Sequence, residues 1–165
     1  MKPLKLKCAV LPWTLMGAVL LTLATPAFAV LGDNAASVLN DQARMKGTLR
    51  SVDKQTYVMH EITASYGAKV REYVSPSGVV FGVAWDGQFP PNFDQLLGPY
   101  FQQVQQASAQ QKAADEANGQ IRRRGPAVIQ TPGIVFSQSG HMHSYHGVAY
   151  IPQSIPQGVT ASDIR

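Results

Sequence analysis

The sequence predicts an α+β fold in which a three-stranded antiparallel meander and a C-terminal hairpin form a sheet packed by one main helix. Segments 57–63, 69–74 and 79–85 are rich in β-branched and aromatic residues, and turns that contain glycine separate them. Apolar residues at helical spacing follow Asn92. Further strand-like runs follow residue 126. Together these observations indicate one antiparallel sheet layer under one helix layer.

Residues 1–29 have the pattern of a cleaved secretory signal peptide. Three lysines lie within the first seven residues, an apolar run covers 8–23, and Ala27 and Ala29 supply a small-x-small cleavage site. The apolar run is shorter than the roughly 20 residues that a membrane-spanning helix needs. The pattern predicts cleavage after Ala29, export to the periplasm or the exterior, and no stable membrane span in the product.

Cleavage would change the charge of the protein. The chain has 14 basic and 10 acidic residues, but the three lysines of the first 29 residues would be lost, so the product carries a net charge of +1. That balance gives no reason to expect nucleic acid binding. Cys8 is the sole cysteine and would also be lost. The product therefore has no disulfide, no cysteine nucleophile and no thiolate metal site.

The remaining residues, 30–165, have the length of one domain. The N-terminal segment 30–56 is expected to hold a short helix at 37–46 and a strand at 48–52. The α+β core then occupies residues 57–165.

Turn chemistry predicts the register of the meander. The loops Ser65-Tyr66-Gly67 and Pro76-Ser77-Gly78 both place glycine where a left-handed conformation is needed. The first loop sets His60 opposite Glu72, and the second sets Glu72 opposite Gly82, which would leave space beside the carboxylate. Four large side chains then share one face, either as core beneath the helix or as a stacking surface for a sugar or peptide: Met59, Tyr73, Phe81 and Trp85.

The main helix is predicted over 92–117. Asn92 caps it, Gln95 is placed as in a capping box, and Pro99 should kink or restart the helix. A basic linker follows over 118–126, and its arginines are either solvated or a contact for anionic lipid or polymer: Arg122, Arg123 and Arg124. Strands are predicted at 127–130, 134–138 and 142–151, with an irregular tail after Pro152.

His60 and Glu72 are the first candidates for chemistry. A hydrogen bond between them would raise the pKa of the imidazole and create a base or a ligand-binding dyad. The alternative, which we favour, is a polar pair that is satisfied within the sheet face. Glu61 and Arg71 are predicted to form a solvated cross-strand ion pair. The run from His60 to Ala64 is not a zinc-protease HExxH motif, because Ala64 stands in place of the second histidine.

Three histidines near the C terminus are the second candidates. His141, His143 and His146 are of a residue type that binds copper, zinc or nickel, and an adjacent methionine makes copper the first metal to test. In a regular strand His141 and His143 point to one side and His146 to the other. Convergence therefore needs a bulge at Ser144 or a helical turn, and ordinary surface histidines are the favoured alternative.

The sequence contains no motif for nucleophilic or nucleotide chemistry. It has no GxSxG elbow, no P-loop and no GxGxxG run. We favour a non-catalytic binding or accessory module of the periplasm or exterior, without a cofactor, whose partner is a cell-envelope protein or polymer. The alternatives are a periplasmic metal-binding protein that uses the histidine cluster with copper or zinc and, least favoured, a hydrolase built on His60 and Glu72.

Several stretches also resemble a known family: DQARMKGTL at 41–49, His60-Glu61-Ile62, REYVSPSGVVFGVAW at 71–85, Leu96-Leu97-Gly98 and Tyr100-Phe101. They resemble the small exported bacterial proteins described as domain of unknown function 2844. The likeness covers nearly all of residues 30–165 and is strongest over 71–85. It implies a proteobacterial, Burkholderia-like exported protein, and it implies no activity, cofactor or catalytic residue.

Overall fold

The computed structural model describes residues 31–120 and 125–165. Its strands are β1 (Thr48–Asp53), β2 (Val58–Thr63), β3 (Lys69–Val74), β4 (Val80–Gly87), β5 (Ala127–Gln130), β6 (Val135–His141) and β7 (Ser144–Tyr150). Its helices are α1 (Ser37–Met45), α2 (Phe93–Leu97) and α3 (Pro99–Ala117). The strands form one antiparallel sheet in the order β1-β2-β3-β4-β7-β6-β5.

Two sequence predictions concern residues outside these ranges. They are the signal peptide 1–29 with its cleavage site at Ala27 and Ala29, and the arginine cluster of the linker, Arg122, Arg123 and Arg124. Within the part of the chain that the structure describes, no helix is long and apolar enough to cross a membrane.

The predicted α+β class is confirmed, but the sheet is larger than a meander with a separate hairpin. β1 pairs with β2 at one side, and β7 pairs with β4 at the other, so that β5, β6 and β7 continue the same sheet. The first six residues of β4 are buried. A strand buried this completely needs a partner at each edge to satisfy its backbone N–H and C=O groups. Pairing with β7 supplies the second partner.

The predicted main helix is divided in two. Gly98 has a φ of +47° between α2 and α3, and Pro99 is the first residue of α3. Proline is favoured at that position because its missing N–H would have no intrahelical partner there. Asn92 caps α2 by accepting hydrogen bonds from the N–H groups of Asp94 and Gln95. Gln95 does not complete a capping box, because its side chain bonds to Asp41 instead.

The sheet has a core on each face. The larger core lies between the sheet and the three helices, and the smaller core lies on the opposite face, against the C-terminal segment that follows β7. The larger core contains Leu31, Val38, Ile62, Val70, Val74, Val80, Val83, Trp85, Leu96, Leu97, Val104, Ile129, Ile134, Phe136, Ala149 and Ile151. The smaller core contains Tyr73, Phe81, Ala84 and Ile164.

A β-bulge in the second hairpin changes the predicted register. Val74 pairs with Val80 as the turn predicts, but Tyr73 pairs with Gly82, so that Phe81 is an extra residue in β4. Glu72 consequently pairs with Val83. The prediction that Gly82 leaves space beside Glu72 is therefore wrong.

The same bulge divides the predicted row of large side chains between the two faces. Phe81 and Tyr73 belong to the smaller core, with Met59 packed against them. Trp85 belongs to the larger core, where its ring lies 5.6 Å from Phe136 and 5.2 Å from Phe93. The prediction that all four share one face is wrong, since one extra residue reverses the facing of every later side chain in the strand.

Candidate functional site

Two carboxyl groups lie together beneath α1, out of contact with solvent. Asp41 on α1 is 0% exposed and Glu72 in β3 is 1% exposed. They lie close enough for the charge of Asp41 to raise the pKa of Glu72. Gln95 on α2 donates from Nε2 to Oδ1 of Asp41 at 2.5 Å. The acid pair, as we call Asp41 and Glu72, thus joins two helices to the middle of the sheet.

Burial controls the protonation of the acid pair. No described N–H or hydroxyl group donates to either carboxyl oxygen of Glu72 or to Oδ2 of Asp41. Loss of hydration raises the pKa of Asp41 to about 6, although the hydrogen bond from Gln95 opposes the rise. Loss of hydration also raises the pKa of Glu72 well above its ordinary value, and the charge of Asp41 adds to that rise. A proton held between the two carboxyls would supply a donor to oxygens that otherwise have none.

His60 lies opposite Glu72, as the first turn predicts, but the predicted hydrogen bond between them is not formed. The Nδ1 atom of His60 is hydrogen-bonded to Oγ of Ser51 on β1 at 2.7 Å. Burial lowers the pKa of His60, whereas the predicted dyad required it to rise. Loss of hydration disfavours the charged imidazolium, and the carboxyl group of Glu72 interacts with Asp41 instead. A catalytic role for His60 and Glu72 stays a prediction.

Sequence analysis missed Asp41 and Gln95 as members of this site. The signal for Asp41 is its position in the helix, because Val38 and Met45 lie three residues before it and four residues after it. Residues at this spacing share one helix face. Val38 is buried in the larger core, and Met45 packs against it. A carboxylate on the apolar face of a short helix indicates burial, but the sequence does not indicate which residue meets it.

The opposite face of the sheet holds an open cleft of about 370 Å³. It crosses β4, β7 and β6, where Asp86 pairs with His146 and His146 pairs with Ser139. Side chains paired in this way lie on the same face. The cleft is lined by Arg71, Trp85, Asp86, Pro126, Ser137, Ser139, His146, Gly147, Val148 and Arg165.

The polar row Asp86, His146 and Ser139 has the residue types of a hydrolase triad without its hydrogen bonds. Among the described residues no hydrogen bond joins the three side chains. Asp86 instead accepts from Nη2 of Arg71 at 2.8 Å. Arg71 also forms the predicted ion pair with Glu61, at 3.1 Å, but both side chains are half-buried and not fully solvated as predicted. The row can therefore offer hydroxyl and imidazole groups to a ligand, but it is not arranged to activate the serine.

The three histidines considered as candidate metal ligands lie at different points of the last hairpin. His141 ends β6, His143 lies in the turn with a φ of +65°, and His146 lies within β7. The convergence that a bulge at Ser144 would produce does not occur, because β6 and β7 pair regularly through to His141 and Ser144. No group of three or more His, Asp or Glu side chains in the described ranges is placed to hold a metal ion.

A family model matches most of the chain. It covers residues 27–164 and is described as protein of unknown function (DUF2844). No curated protein and no solved structure matches. The resemblance seen in the sequence is confirmed, and the chain belongs to the family of proteins of unknown function DUF2844.

Proposed function

We propose that the protein is exported and acts outside the cytoplasm as a non-catalytic binding module whose ligand lies in the open cleft. The observation that carries this proposal is the cleft itself. Small-molecule sites are typically concave, largely apolar and about 300–1,000 Å³ in volume, with a few converging polar groups. The cleft has about 370 Å³, with Val148 and Pro126 beside the hydroxyl groups of Ser137 and Ser139.

The groups at the cleft favour a ligand rich in oxygen acceptors. Ser139, His146 and Arg165 can each donate a hydrogen bond. The carboxylate of Asp86 is engaged by Arg71 at 2.8 Å and is less available to bind a ligand donor. Carboxylate-bearing sugars and peptides of the cell envelope have acceptors of this kind. They are also the ligands that an exported protein would encounter.

The proposal of export rests on the first 29 residues and has its own test. We expect protein produced from the full chain in a bacterium to be recovered from the periplasm or medium with Val30 as its first residue, measured by intact mass. An Ala29→Arg variant should keep residues 1–29, because the cleavage site requires a small residue there. An Ala29→Gly variant is the control and should still be cut. Cytoplasmic recovery of the uncut natural chain would contradict export.

The ligand proposal predicts a specific thermal shift. Residues 30–165 would be melted with glucuronate, N-acetylmuramate and the dipeptide D-Ala-D-Ala. A ligand at about 100 times its dissociation constant stabilises a protein by about 2.7 kcal/mol, which raises the Tm by several degrees. We expect at least one probe to give this shift. The His146→Gln variant should bind that probe with an affinity at least tenfold lower. His141→Gln is the matched control, because His141 is exposed and lies outside the lining.

Two outcomes would count against this function. The cleft is not the site if no probe shifts the melt, or if His146→Gln and His141→Gln bind equally well. Hydrolysis of p-nitrophenyl acetate that is lost in Ser139→Ala but kept in Ser137→Ala would show that the row is catalytic. Such a result would replace the binding module with a hydrolase.

A further inference from the structure

We propose that Asp41 and Glu72 share one proton in the folded protein, and that this proton acts as a latch that holds α1 on the sheet. The pair is separate from the cleft and lies on the other face, so the proposal does not rest on the proposed function. Three observations support a proton shared between these two residues. Both residues are buried, they come from different elements, and three of their four carboxyl oxygens receive no hydrogen bond from a described donor.

The surroundings of the pair do not neutralise a second negative charge. Gln95 contributes an uncharged amide to Asp41. His60, opposite Glu72, has its pKa lowered by burial, which disfavours a positive charge beside the pair. Arg44 on α1 is the cation that favours ionised Asp41, and its effect is smaller than those of burial and of the hydrogen bonds. A second ionisation would thus leave two like charges in contact in a region of low dielectric constant.

Helix α1 is short, and few of its side chains are buried. It has nine residues, which is too short to be stable by itself in water. Of these, Ser37, Val38 and Asp41 are buried. The chain leaves the helix through Lys46, whose φ of +47° lies in the left-handed region. The bridge between Asn34 and Val79 and the hydrogen bond from Ser65 N–H to Met45 O hold the two ends of the helix. Repulsion between the carboxyls should therefore loosen the helix between these ends, where Asp41 is buried.

The direction of the pH effect follows from the raised pKa values. An acid with a higher pKa in the folded than in the unfolded state stabilises the fold fully below its unfolded pKa. That stability is lost as pH rises through the folded pKa. The pKa of Asp41 is raised from 3.8 to about 6, and that of Glu72 is raised well above its ordinary value. Loss of the first proton, near pH 6, leaves the one shared proton, and release of α1 should follow at higher pH, when that second proton is also lost.

Hydrogen exchange of the α1 amides tests the latch. After correction for the intrinsic rate, we expect protection of Asp41 to Met45 to fall at least tenfold between pH 5 and pH 8, while protection in β7 changes less than twofold. In Glu72→Gln the α1 protection should stay constant, because the amide can donate to Asp41 and carries no charge. Glu61→Gln is the matched control, since it makes the same change in β2 on the other face of the sheet and should behave like the natural chain.

The latch is refuted if the natural chain and Glu72→Gln show the same pH dependence in α1. If Glu72→Gln does not fold, Asp41→Asn makes the same test from the helix side. Carbon-13 titration of the two carboxyls requires no variant, and ordinary values for both would also refute the proposal. Recovery of α1 protection at pH 8 with calcium would show that a cation, not a proton, is what the pair holds, and would overturn it.

Discussion

Among single residues, Gly147 shows how closely the sheet packs against the aromatic cluster of the larger core. A Cβ atom there would lie 2.4 Å from Cζ2 of Trp85 and 2.5 Å from the carbonyl oxygen of Ser137. Overpacking of this kind costs about 1–3 kcal/mol. We expect Gly147→Ala to lower the free energy of unfolding by about that amount, measured by urea titration. Trp85 is a suitable fluorescent reporter, because it is the sole tryptophan of residues 30–165.

The matched control for this prediction is Gly119→Ala. Gly119 has a φ of +63° and no heavy atom within 4 Å of the added Cβ, so the variant carries only the cost of a left-handed alanine. That cost is about 1 kcal/mol. Equal losses in the two variants would show that the Trp85 ring moves aside without cost.

The acid pair shows which part of a site the sequence can predict. The position of His60 opposite Glu72 follows from a local turn, because a loop of known type sets the pairing of both strands. The direction in which Glu72 turns depends on α1 and α2, which meet β3 from distant parts of the chain. Asp41 and Gln95 are the groups that decide it. Contacts between elements that are distant in the chain have no characteristic spacing, so a single sequence does not predict them.

At the scale of elements, the helix break was predictable and the β-bulge was not. A proline in a helix interior removes a backbone donor and kinks or breaks the helix, so Pro99 within the predicted helix indicates the division directly. The bulge at Phe81 has no such local signal. It places the Phe81 ring 6.2 Å from Tyr73 and 6.0 Å from Tyr57, between ring centroids. This aromatic cluster forms only when three strands are assembled, and so the register depends on packing that the turn does not specify.

At the scale of the whole molecule, the sheet is continuous because β4 lies in its middle. The sequence predicts the individual strands well, but it does not show that β7 pairs with β4. The pairing is long-range, and hairpin signals are local. The tail after β7 was expected to be irregular. Apart from two 3-10 turns, Pro152–Ser154 and Ala161–Asp163, it is irregular. It also covers part of the second sheet face, where Tyr73 donates through its hydroxyl to the main-chain oxygen of Arg165 at 2.6 Å.

This arrangement predicts that the fold depends on the tail. Ile164 is 2% exposed, and a Cβ atom on Gly82 would lie only 3.0 Å from its Cδ1 atom, so the isoleucine fills the space that the glycine leaves. Removing a buried isoleucine side chain beyond Cβ costs about 2–5 kcal/mol. We expect Ile164→Ala to lower the free energy of unfolding within this range and to expose Tyr73 and Phe81, detected by increased binding of an apolar dye.

Ile155→Ala provides the comparison, because Ile155 packs against the same core but is only partly buried. Ile155→Ala should lower the free energy of unfolding by less than half as much as Ile164→Ala, since burial of a partly exposed side chain contributes less to stability. An Ile164→Ala variant as stable as Ile155→Ala, without added dye binding, would show that the tail rests loosely on a sheet that is stable without it. A loss of stability in Ile164→Ala more than twice that in Ile155→Ala would show that the tail stabilises the second sheet face, as the helices stabilise the first.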